Sequence, residues 1–148
     1  MKCPVCALDL IVVERQGIEL DFCVLCRGFW FDNGELELLA HVLGATTQTM
    51  DISSLTTVAA PEKTRKCPRC DRAMDKVGLG EGTPVIVDRC PRFEGLWFDA
   101  GEVGRTIELP DPGAVDAQKM LYFLGEVFNS RAGKMETGER RPVTENKK

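Results

Sequence analysis

Cysteine pairs separated by two residues occur at Cys3-Pro4-Val5-Cys6, Cys23-Val24-Leu25-Cys26 and Cys67-Pro68-Arg69-Cys70, while a seventh cysteine, Cys90, stands alone. Two intervening residues let both sulfurs of a pair turn toward one point, and proline after the first cysteine fixes φ for that turn. Two such knuckles at the ends of one hairpin supply four thiolates in a tetrahedron, which suits Zn2+. The separation of Cys6 from Cys23 falls within the range expected of a zinc site with two cysteine pairs. Tetrahedral sulfur also accepts iron, which stays the second choice. A redox C-x-x-C is disfavoured, because thioredoxin-type motifs come singly within a βαβ pattern that is missing here.

The elements that must position these sulfurs come as a repeat. CVLCRGFWFDNGE (23–35) and CPRFEGLWFDAGE (90–102) are two copies of one pattern, with Trp30 matching Trp97, Asp32 matching Asp99 and Gly34 matching Gly101. In the first unit, residues 1–43, the alternating stretch LDLIVVERQGIELDF turns at Gly17 and reads as a hairpin between two knuckles. Asp32 with Glu35 three residues on is a capping-box variant, and Leu36, Leu39 and Val42 give a short helix ending at Gly44. Residues 44–63, rich in Thr, Ser and Ala, read as a flexible linker. The second unit, 64–109, repeats the plan with a longer Gly-rich turn and a helix from Asp99, which Pro110 and Pro112 stop. In residues 112–131, Ala117, Met120, Leu121, Leu124, Val127 and Phe128 fall on one helical face. Residues 132–148 are polar and are expected to be disordered.

The chain has 148 residues, 43% hydrophobic and 28% charged, the balance of a soluble globular protein. A unit of about 40 residues buries too little apolar surface to fold alone, so a metal staple also answers a stability problem. Phe29, Trp30, Phe31, Leu96, Trp97 and Phe98 supply most of the remaining core, with Phe29 and Phe31 the candidates for exposure to a partner. No apolar h-region precedes Cys3 and no run reaches the ~20 residues of a membrane span. A cytoplasmic location is therefore expected, where clustered cysteines bind metal more often than they form disulfides.

C-P-x-C, a spacer with a mid-hairpin glycine, C-x-x-C and then G-x-W-x-D-x-G-E-L resembles the prokaryotic zinc-finger family named after the zinc ribbon of transcription factor TFIIB. The match covers Cys3 to Leu39 and, less completely, Cys67 to Val103. The resemblance implies a small α+β, metal-stabilised fold: two tandem zinc-ribbon-like units (knuckle, β-hairpin, knuckle, short helix), followed here by the C-terminal amphipathic helix. It implies a metal-binding role, carries a transcription link in its name and brings no catalytic residues. Cys3, Cys6, Cys23 and Cys26 form the first zinc site. In the second, Phe93 stands where the first has Cys26. Second copies in this family often carry a histidine just before the glycine of G-x-W, and that position is Glu94. The resemblance thus suggests Cys67, Cys70, Cys90 and Glu94. A unit that has lost its metal, an open coordination position, and a ligand from elsewhere such as His41 all stay open.

Basic residues gather at the second unit's knuckles, and Arg69, Arg72, Arg89 and Arg92 form a candidate patch on a chain of formal net charge −4. A non-enzymatic interaction module with zinc as its cofactor is the leading reading, its partner a protein met by the apolar helix face of Leu121, Leu124 and Phe128. The simpler reading of that face is that it packs on the small zinc units, with a homodimer seam as the other alternative. A nucleic-acid binder using the arginines is the second reading, and overall negative charge weighs against it. A zinc hydrolase with an open second site is the third, and no HExxH, nucleophile or phosphate loop supports it.

Overall fold

A computed structural model describes residues 1–107 except 16, 43, 45–50 and 81. The amphipathic stretch 112–131, with Leu121, Leu124 and Phe128, and the tail 132–148 lie outside the described residues. Each repeat folds as a hairpin, a third strand and a short helix: β1 (Ile11–Arg15), β2 (Ile18–Phe22), β3 (Phe29–Asp32) and α1 (Glu35–Val42), then β4 (Asp75–Leu79), β5 (Val85–Arg89), β6 (Gly95–Phe98) and α2 (Glu102–Thr106).

The two repeats are not beads on a string. Their third strands pair with each other, giving one six-stranded antiparallel sheet in the order β1-β2-β3-β6-β5-β4. The register Phe29↔Phe98, Trp30↔Trp97, Phe31↔Leu96 is its own mirror image when the repeats are exchanged, with the two tryptophans at its centre. The aromatic segments of the sequence pattern are thus the central strands. Alternation along a strand sends successive side chains to opposite faces. Phe29, Phe31, Leu96 and Phe98 enter one core with Leu36, Leu39 and Val103 of the helices. Trp30 and Trp97 enter a second core with Cys3, Cys23, Cys67 and Cys90. Both faces are covered, so Phe29 and Phe31, at 0% and 1% exposure, present nothing to a partner.

This pairing explains the glycine of G-x-W. A Cβ on Gly28 would run into the indole of Trp97, and one on Gly95 into the indole of Trp30 and the Phe31 carbonyl. Each repeat's glycine makes room for the other repeat's tryptophan.

Part of the expected flexible linker is ordered against the second repeat. Residues 51–58 pack onto the second repeat: Ile52 is buried, Leu55 is packed against the core, Thr57 bridges Val77 and Val58 N donates to Lys76 O. Arg89, 6% exposed, is what holds them there. Its guanidinium donates to the carbonyls of Ile52 and Leu55 at 3.0 and 2.7 Å and meets Asp75 at 3.3 Å. Residues 51–58 are a packed strap over β4, because their scattered apolar residues find the second core half and a cation to cap their carbonyls.

Candidate metal centre

Around the first site, Cys3, Cys6, Cys23 and Cys26 place their sulfurs within 4.8 Å of one another. Backbone builds the knuckles: the N–H groups of Val5 and Cys6 both donate to Cys3 Sγ at 3.3 Å. Each turn closes from the residue after the second cysteine, with Ala7 N to Cys3 O at 2.9 Å and Arg27 N to Cys23 O at 2.8 Å. That closing residue is left-handed in both, φ 60° at Ala7 and 64° at Arg27. The third knuckle is built alike, with Asp71 at φ 57° and its N–H on Cys67 O at 2.9 Å.

The fourth is different. Cys90 N still bonds Gly95 O at 3.0 Å, as Cys23 N bonds Gly28 O, so the loop has kept its length. Inside it, however, the turn closes one residue earlier: Phe93 N donates to Cys90 O at 2.9 Å, and Phe93 is the left-handed residue at φ 58°. Moving the corner back by one residue turns Phe93 outward, 41% exposed, with the Arg89 guanidinium over its ring at 5.2 Å. It turns Glu94 inward. Cys67, Cys70, Cys90 and Glu94 all bring a donor atom within 4.8 Å of one another, and Glu94 Oε2 lies 3.8 Å from Cys90 Sγ. His41 is exposed on α1 and takes no part.

Without a cation the thiols are mismatched. Burial pushes Cys3 and Cys26 up, and Cys67 up to about 12. At Cys23 burial is outweighed by the N–H groups of Cys26 and Leu25 and the neighbouring thiols, and its pKa falls to about 7. A divalent cation replaces these protons and lets every donor ionise. Both donor sets fit Zn2+, which binds thiolate and carboxylate alike.

Around the metal sites the W-x-D-x-x-E pattern is a relay. Trp30 Nε1 donates to Asp32 Oδ1 at 2.7 Å and Trp97 Nε1 to Asp99 Oδ1 at 3.1 Å. Glu35 and Glu102 reach back to accept from the N–H of Asp32 and Asp99 at 2.8 and 2.7 Å. Only half of the expected capping box forms: the helices begin at Glu35 and Glu102, later than expected, and α2 has Gly101 and not Asp99 at its N-cap, with no side-chain cap bond. The aspartate carboxylates turn to the tryptophans instead. Two arginines from one stretch cap the aspartates: Arg65 forks onto Asp99 at 2.8 and 2.9 Å, and Arg69 donates through Nε to Asp32 Oδ1 at 2.7 Å and through its terminal nitrogen to Oδ2.

Two tandem ribbon units with these ligand sets leave little choice of relative, and residues 2–41 and 66–108 match the transcription factor zinc-finger family, more than half of the chain. The chain belongs to that family. No curated protein and no solved structure matches it. In this zinc-ribbon protein the metal, when bound, clamps the paired knuckles and contributes folding energy; the chain's own residues supply the rest of the frame.

The zinc-ribbon frame also redraws the expected arginine patch. Arg89 is buried and Arg69 is spent on Asp32, because the sheet brings carboxylates of both repeats to them. Arg92 contacts Glu94 at 3.5 Å, and Lys66 pairs with Asp71 at 3.1 Å. Arg72 is exposed. The first site carries the opposite feature, unanticipated from the sequence: Val5, Val24 and Leu25, between its ligands, are 46%, 58% and 66% exposed. Their signal was present in the x-x of each first-unit knuckle, where the second unit has Pro-Arg.

Proposed function

We propose that this zinc-ribbon protein is a non-enzymatic module that binds a protein partner through the tip of its first zinc site. The observation that carries the reading is the crown of Val5, Val24 and Leu25. The four sulfurs beneath them lie within 4.8 Å of one another, so the three exposed side chains share one tip. Apolar groups held out on a rigid knuckle are a surface for partner contact rather than for core. Nucleic acid is the less favoured partner, because the second unit's arginines are largely paired with carboxylates. Hydrolysis is disfavoured by Glu94 itself: as the fourth donor it is occupied as a ligand, and among the described residues no further His, Asp or Glu joins that cluster. The transcription link in the family's name is compatible with such a partner and adds no identity to it.

A photo-crosslinking residue at position 25 tests this in living cells. Protein adducts that vanish with Val24→Asp, zinc content being unchanged, are expected. Adducts confined to nucleic acid, or none at all, overturn the reading.

A further inference from the structure

Site two is gripped by the first repeat on both of its arms. Arg69 sits inside the Cys67–Cys70 knuckle, its N–H on Cys67 Sγ at 3.4 Å, and its guanidinium reaches Asp32 of the first repeat. Asn33, the next residue, donates its N–H to the carbonyl of Glu94 at 3.0 Å. Residues 32 and 33 therefore tie together the two segments that must converge on the second metal. Asp32 is itself fixed by Trp30, whose indole packs on Gly95, the residue after Glu94. In the first site the position matching Arg69 is Val5, which has no such fork.

The donor sets are unequal as well. Site one has four sulfurs; site two replaces one with a carboxylate, a less favoured ligand in structural zinc sites. That carboxylate is 29% exposed and shares its other oxygen with Arg92.

We propose that the two sites fill in order and are coupled: zinc at the first site folds the repeat whose Asp32 and Asn33 assemble the second, and the Cys67/Cys70/Cys90/Glu94 site is the exchangeable one. Because Asp32 and Asn33 of the first repeat assemble the second site, emptying the first site weakens the second by the coupling factor. Disabling the second leaves the first loaded. Coupling between sites in one protein is commonly a factor of about 5–150, and the Arg69 tie is expected to account for about tenfold of it.

Titration of the full-length apoprotein with Co2+ and with Zn2+ against a chelator tests the proposal. Wild type is expected to load in two separated steps. Arg69→Gln and Arg69→Lys should both weaken the second step about tenfold and spare the first, since lysine keeps the charge but not the two-pronged contact. Cys23→Ser/Cys26→Ser should weaken metal binding at site two about 5–150-fold, while Cys67→Ser/Cys70→Ser should keep one zinc at the affinity of the wild-type first step. Two equal steps in wild type, a second step in R69K as tight as wild type, or an intact second site in the Cys23/Cys26 variant each overturn it.

Discussion

Trp30 and Trp97 stand opposite each other at the centre of the β3–β6 ladder, each indole seated over the glycine of the other repeat. Both are fully buried against the cysteine clusters. The tandem units thus share one interlocked centre, and damage there is felt at both metals. Gly28 and Gly95 are required for space, not for φ, since neither has the left-handed backbone. Gly28→Ala and Gly95→Ala are each expected to cost about 1–3 kcal/mol, the usual penalty of overpacking a tight core. Chemical denaturation of the zinc-loaded protein measures it, and a loss below a few tenths would mean that the strands separate easily.

Arg89 belongs to the interior. Its removal leaves the carbonyls of Ile52 and Leu55 without their donor, and an unsatisfied buried acceptor costs about 1–3 kcal/mol. Arg89→Leu should therefore lower the melting temperature and loosen residues 51–58 in hydrogen exchange. A variant with wild-type stability and altered nucleic-acid binding would return Arg89 to the surface.

Acid sensitivity should come from the metal and not from the helix carboxylates. Burial raises Glu35 and Glu102 above the usual glutamate value, with the Asp32 and Asp99 N–H groups pulling the other way. A carboxyl whose folded pKa is raised contributes stability that is present below the unfolded pKa, about 4.3, and is lost as pH rises through the folded pKa. Acidification from neutrality thus relieves these two groups. The thiolates are the ones that lose their metal to protons. Unfolding on acid titration should coincide with zinc release read by a chromogenic chelator; unfolding with both zincs still bound would contradict this.

Much of this was legible in the chain. The three intact knuckles, the hairpins between them and the short helices follow from cysteine spacing, alternation and capping residues, which are local signals. Glu94 is singled out by family resemblance, and the backbone is what turns it inward: the Phe93 corner closes one residue early, a shift that spacing alone does not reveal. What the sequence hid was mutual. Phe29 and Phe31 looked half-exposed because a single unit offers them only one covered face; the second repeat supplies the other. Arg69 and Arg89 looked like a surface patch because their partners, Asp32 and the strap carbonyls, are distant in sequence and meet them only once the sheet forms.

Metal content per chain tests the central claim most directly. The purified zinc-loaded protein is expected to carry two zinc ions. Glu94→Ala should carry one, and Phe93→Ala, whose ring points away from the site, should still carry two. One zinc in the wild type, or two retained in Glu94→Ala, would contradict the account.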